Sequence, residues 1–163
     1  MSVTAHEMGF EALDALEPLD ALCLFVAEED RPLPGTSGFV DWRLCGALSR
    51  VLQEGFFTGV HGDCLLLPSE GRLSMPRVFV MGLGRRHELT AASLGALFSD
   101  AANVLVKARI ESLALEVPLV VGLSEDERVR AVHEQFLPRF EGKRVALLAE
   151  KSLVRLLPPA SRS

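Results

Sequence analysis

Few of the features that most often announce a function are present in this sequence. Its three cysteines, Cys23, Cys45 and Cys64, are odd in number and form no Cys-x-x-Cys pair, so the common spacings of metal and redox sites are missing. Each stands among apolar neighbours (ALCLFV, RLCGAL, GDCLLL), and all three are expected to fill the core as small hydrophobes. A basic excess is missing too. Seventeen Lys and Arg against 22 Asp and Glu leave a net charge of −5 and a pI near 5.4, which argues against a nucleic-acid partner, since such binding needs a basic face. No uninterrupted apolar run approaches the roughly 18 residues of a membrane span, and the N-terminus has no basic-then-apolar leader. The expected location is the cytoplasm, without a membrane partner.

What is present suits a folded domain. The chain has 163 residues, 48% hydrophobic and 24% charged, an ordinary soluble composition. At that length folding buries roughly 68–70% of the surface of the unfolded chain, so no staple is needed. The expected organisation is one α/β domain over 1–157 and a disordered tail over 158–163.

Apolar periodicity gives the elements. DALCLFVA, 20–27, is apolar enough to be a strand buried on both faces, and GFEALDAL before it reads as an edge strand. EEDRPLPGTSG is a loop. Apolar residues at helical spacing predict one helix over 39–54, stopped by Gly55. CLLLP (64–68) and RVFVMG (77–82) read as a hairpin. Thr90 caps a helix whose stripe runs through Leu94, Leu97, Phe98, Ala101, Leu105 and Ala108. A strand over 112–122 ends or breaks at Pro118. Ser124 and Glu127 form a capping box for a third helix that stops near Pro138, and RVALLAE, 144–150, is another buried strand. Helices alternating with strands too apolar to have a wet face must cover both sides of a sheet.

The stretch RVFVMGLGRRHELT, 77–90, is the one that suggests a ligand. Gly82-Leu83-Gly84 resembles the start of a dinucleotide fingerprint, but the third glycine is replaced by His87, and no Gly-Lys-Ser/Thr loop is present. The expected role is a turn. A ligand-binding role for Gly82, Gly84, Arg85, Arg86 and the N-terminus of the Thr90 helix stands beside it, because backbone N–H groups and guanidinium forks suit phosphate. No nucleophile or metal set emerges. His6 sits in a terminus expected to be mobile, His61 in a glycine turn, His87 beside two arginines and His133 on a helix; none belongs to a His-Glu-x-x-His pattern. Ser49 lies inside a helix, which excludes a nucleophile elbow. The acidic residues read as solvated charges or caps, Glu116 and Glu150 included.

A Gly-Ala-Leu-Ser helix segment (Gly46–Ser49), a Gly-x-x-Gly turn (Gly59–Gly62), an apolar strand (Leu65–Leu67), Gly82-Leu83-Gly84 and Leu89-Thr90 follow one another in that order. With LDALCLFVAEE before them, they resemble the N-terminal domain of the leucyl aminopeptidase family, the cytosol aminopeptidases or peptidase family M17, over about residues 18–120. The resemblance implies a macro-domain-like three-layer α/β fold, a mixed central sheet with helices on both faces. It also implies that a separate catalytic domain, holding two metal ions through lysine, aspartate and glutamate and carrying an Asn-Thr-Asp-Ala-Glu-Gly-Arg segment, does the chemistry in family enzymes. These 163 residues contain no such segment. The expectation is therefore a non-enzyme without cofactor, metal or catalytic residue.

Three functions follow as expectations. The first is a binding, assembly or regulatory module that pairs with itself or with an aminopeptidase, with Trp42, the single tryptophan, at the margin of a helix's buried face as a candidate contact. The second is a macro-domain-like pocket for a small phosphate-containing ligand such as a nucleotide or ADP-ribose, which rests on fold analogy. The third is the non-catalytic part of a split metalloaminopeptidase.

Overall fold

Residues 21–27 are buried at every position, and their side chains divide by parity between two cores. In the computed structural model, which describes residues 2–157, Ala21, Cys23, Phe25 and Ala27 face one hydrophobic cluster, and Leu22, Leu24 and Val26 face another. Period-two alternation with both faces apolar is what a central strand under two layers of helices requires.

The described residues form six strands: β1 (Ser2–Glu7), β2 (Ala21–Ala27), β3 (Cys64–Pro68), β4 (Arg77–Gly84), β5 (Ser112–Glu116) and β6 (Arg144–Ala149). They assemble into one mixed sheet of order β1-β6-β5-β2-β4-β3, parallel except where β3 pairs with β4. The helices are α1 (Phe10–Ala15), α2 (Gly35–Arg43), α3 (Ala47–Glu54), α4 (Ala91–Lys107), α5 (Glu125–Ala131) and α6 (Lys151–Val154). α1, α2 and α3 supply the core on one face; α4, α5, the turns after α5 and α6 supply it on the other. This is the macro-domain-like three-layer α/β fold. None of the helices is long and apolar enough to cross a membrane.

Several local expectations are corrected. His6 lies in β1, which runs parallel to β6 from Ser2 to Glu7 rather than in a mobile terminus. The segment after it is α1, not an edge strand. The helix expected over 39–54 breaks into α2 and α3, because Cys45 and Gly46 take positive φ of 55° and 80°. Asp41 stabilises the break: its carboxylate accepts the Ser49 N–H (3.0 Å) and the Ser49 hydroxyl. The strand expected over 112–122 ends at Glu116, ahead of Pro118. The third helix is regular only through Ala131; one wide π turn over 132–136 and a 3-10 turn over 137–140 follow, since Pro138 cannot donate to the helical ladder. Of the cysteines only Cys23 is buried, while Cys45 and Cys64 are exposed. The tail expected over 158–163 lies outside the described residues.

β3 shows how an edge is tolerated. Leu65 and Leu67 pack toward the α3 side, and Cys64, Leu66 and Pro68 are exposed. The Ser69 N–H bonds the Pro76 carbonyl (2.9 Å), so odd positions point their N–H groups at β4 and Pro68 falls on the open side. There its missing donor costs nothing, and a short strand ending in proline discourages further pairing.

Candidate functional site

The connections leaving neighbouring β2 and β5 go to opposite faces, β2 to α2 and β5 to α5. Such a divergence opens a crevice beyond the carboxyl ends of parallel strands. The β2–β5 pairing ends at Cys23 and Leu115, while β2 continues to Ala27. The gap is occupied by Glu116, only 5% exposed, whose Oε1 accepts the Phe25 N–H at 3.1 Å. A carboxylate thus replaces the strand partner that Phe25 has lost.

Above Glu116 lies a charged layer. Asp30, in the β2–α2 loop and 6% exposed, accepts the Ala27 N–H through Oδ2 at 2.9 Å. Arg86 reaches it from the β4–α4 connection, with Nε donating to Oδ1 (3.1 Å) and Nη2 to Oδ2 (2.7 Å). Nη1 donates to the Leu119 carbonyl in the β5–α5 loop, and the Arg86 backbone N–H donates to Glu29 Oε1 at 2.8 Å. Burial opposes the charge on Arg86, but its hydrogen bonds and proximity to Asp30 override that and hold it protonated. The Glu116 carboxyl is pushed from its ordinary 4.5 up to about 7. Burial is the main cause; the Phe25 N–H and Arg86 pull the other way, and Asp30 adds to the rise. The fully buried Thr36 hydroxyl, in the first turn of α2, lies close enough to favour the carboxylate without making a well-formed hydrogen bond.

The residues expected to cradle phosphate are placed as follows. Gly82-Leu83-Gly84 is not a turn: β4 runs through Gly84. The Gly82 N–H donates to the Asp63 carbonyl (2.7 Å) and the Gly84 N–H to the Gly59 carbonyl (2.8 Å). The glycines serve close packing. A Cβ on Gly82 would lie 1.9 Å from the Val60 carbonyl oxygen, and Gly84, at φ 74°, has His61 Cβ 3.1 Å from where its own would be. Arg85 is exposed and 3.8 Å from Glu28. Thr90 caps α4 in a reciprocal box with Ser93, accepting its N–H at 3.1 Å and donating its own to the Ser93 hydroxyl at 2.8 Å. A 3-10 turn, Arg86–Glu88, separates it from the glycines. The structure therefore gathers Gly82, Gly84, Arg85 and Arg86 on one rim, with Arg86 turned inward to Asp30.

Trp42 stands apart on α2. It is 71% exposed, not half-buried, and its ring meets Phe10 edge-on with centroids 5.4 Å apart. Arg43 covers the other part of Phe10 at 5.5 Å. A shallow cleft of about 620 Å³ on the rim is bordered by Glu28, Glu29, Arg85, Arg86, His87 and Val121.

Sequence reasoning missed Asp30 and Glu116. Both were read as solvated charges, and both are buried. The available signal was an acid closing an otherwise apolar strand, SLALE, two residues before Pro118. A second ion pair, with its arginine buried and its acid half-buried, holds the same loop from behind. Arg128, 2% exposed, donates to the Pro118 carbonyl at 3.0 Å and forks onto the Glu150 carboxylate. Burial would raise the Glu150 pKa, but the Arg128 hydrogen bond lowers it below the usual range.

Comparisons with known proteins agree with this architecture. The model of the N-terminal domain of the cytosol aminopeptidase family matches residues 22–140. A probable cytosol aminopeptidase of Nitrosococcus oceani is 34% identical over 77 residues, covering 47% of this chain and 15% of that protein. Such curated relatives are matched over only 15% to 23% of their own length. Among solved structures, a tomato leucine aminopeptidase mutant superposes with a TM-score of 0.62 at 20% identity, covering 95% of this chain and 34% of that one. A Trypanosoma brucei macrodomain in complex with ADP-ribose gives 0.69 at 16% identity, covering 94% and 66%. At those identities the two superpositions speak for the fold.

Proposed function

The chain belongs to the cytosol aminopeptidase family, whose N-terminal domain it carries, and from that premise we propose that it acts as a non-catalytic binding, assembly or regulatory module. The observation that carries this reading is the form of the rim. Its crevice is filled by Glu116, Asp30 and Arg86, while apolar side chains on the surrounding loops face outward: Phe56, Val60, Leu119 and Val121, the last 78% exposed. A sealed floor under exposed apolar loops suits a protein surface better than a small-molecule pocket. Trp42 on α2 is a second contact point of the kind interfaces favour. Among the described residues no group of three or more His, Cys, Asp or Glu is placed to hold a metal ion, whereas two-metal hydrolysis needs such ligands around ions about 3.5–4 Å apart.

The neighbouring macrodomain complex keeps a second reading in view, a pocket for a nucleotide or ADP-ribose-type ligand. Against it, the N–H groups of Gly82, Gly84 and Arg86 are already bonded within the chain. A third reading, the non-catalytic part of a split metalloaminopeptidase, draws on the match being confined to the N-terminal domain.

Sedimentation velocity tests the proposal. The protein is run alone and with a full-length cytosol aminopeptidase, at micromolar concentration. Self-association beyond the 17.7 kDa chain, or co-sedimentation with the aminopeptidase, is the expected result. A strict monomer that ignores the aminopeptidase contradicts it.

A further inference from the structure

Arg86 ties together three of the connections at the carboxyl end of the sheet. It springs from the β4–α4 connection, forks onto Asp30 in the β2–α2 loop, and donates to Leu119 in the β5–α5 loop. Each of its three nitrogens donates. Nε and Nη2 meet the two oxygens of one carboxylate, and Nη1 meets a carbonyl set off to the side. Only a planar fork matches that set of acceptors; an ammonium is a point donor and cannot span it.

The surroundings are those of a cation site. Glu29 and Asp30 border the crevice, Glu116 forms its floor, and the Leu119 carbonyl closes one wall. A phosphate entering here would meet carboxylates and a carbonyl. The donors that an anion would need are spent elsewhere: the Gly82 N–H on Asp63, the Gly84 N–H on Gly59, and the Arg86 N–H on Glu29.

We propose that the crevice between β2 and β5 is a guanidinium site, occupied by the chain's own Arg86, and that this occupancy closes it to phosphate-bearing ligands. The inference goes beyond the binding-module reading; it shares with that reading the filled crevice, but it concerns what fills the crevice and not what docks on the rim. Arg86 here is a resident plug. It locks three loops whose outer faces carry the exposed apolar residues.

Chemical rescue tests this on the full chain. Thermal unfolding of the wild type and of Arg86→Ala is followed with methylguanidinium or methylammonium up to about 20 mM, and ADP-ribose and inorganic phosphate are titrated calorimetrically into the wild type. Arg86→Ala should melt about 5–10 °C lower, the scale of a lost buried pair in a chain this long. Methylguanidinium should recover part of that loss in the variant and leave the wild type unmoved, and methylammonium should recover less. ADP-ribose and phosphate should give no binding heat at millimolar concentration. If Arg86→Ala does not fold, Arg86→Lys takes its place, with the same selective response expected. In the wild type, the Arg86 Nε–H proton should be visible by NMR and exchange slowly with water. The proposal is overturned by binding of ADP-ribose or phosphate to the wild type, by a variant that neither melts lower nor distinguishes the two cations, or by an Nε–H that exchanges as fast as in free arginine.

Discussion

Glu116 takes the place of a strand, and the cost of doing so is a carboxyl that resists ionisation. The Phe25 N–H and Arg86 favour its charge, but burial and the nearby Asp30 outweigh them, and the group titrates near 7 instead of 4.5. An acid whose pKa rises on folding binds its proton more tightly in the native state, so stability falls as pH rises between those two values and levels off above the higher one. The loss is on the order of 3 kcal/mol. Glu150 behaves in the opposite sense, because its pKa is lowered by Arg128: it contributes stability above its unfolded value that disappears only in stronger acid. The two windows do not overlap. Urea unfolding at pH 5, 6, 7 and 8 should show the wild type weakening through this range, and Glu116→Gln, which keeps an acceptor for Phe25, should lose most of that slope. An unchanged slope in the variant would assign the pH dependence elsewhere.

At the scale of elements, the sheet depends on how closely the α3–β3 loop approaches β4. Gly62 and Gly82 are bonded (3.1 Å), Gly82 donates to Asp63, and Gly84 donates to Gly59. Any side chain on Gly82 would collide with the Val60 backbone, which cannot swing aside. Gly62, at φ 86°, has open space where its Cβ would be. Gly82→Ala should therefore cost about 3 kcal/mol or more through displacement of the loop, and Gly62→Ala about 1–2 kcal/mol through backbone strain alone. Denaturant midpoints measure both, and equal losses would refute the distinction between clash and strain. The same segment shows what was legible in advance. β2, β4 and β6 are continuous apolar runs that periodicity finds, and the Thr90 cap and the Ser124 capping box are local patterns; the reciprocal bond from Ser93 to Thr90 was not legible. β1 was hidden because, of SVTAHE, only Val3 and Ala5 face the core. The break at Cys45-Gly46 was hidden because the apolar spacing of α2 and α3 runs on across it. Gly82-Leu83-Gly84 resembles a turn in the sequence because its glycines answer a distant neighbour, the 59–63 loop. Glu116 and Asp30 were hidden for a similar reason: burial of a single acid depends on where strands part, which spacing does not encode.

The whole molecule presents two unlike surfaces at its carboxyl rim, a sealed polar floor and apolar loops around it. Arg86 and Arg128 hold those loops from opposite sides, one through Leu119 and the other through Pro118 and Glu150. Rigid loops with exposed Leu119 and Val121 give a surface that is already organised before contact, which lowers the ordering cost of association. The fold is that of the family's N-terminal domain, and among the described residues no group of three or more His, Cys, Asp or Glu is placed to hold a metal ion. We propose that this chain works by contact and not by turnover. Hydrolysis of leucine p-nitroanilide by the purified chain, supplied with manganese or zinc, tests that claim most directly. Release of p-nitroaniline no faster than in buffer with the same metal is the predicted result; saturable turnover proportional to the concentration of this chain would contradict it.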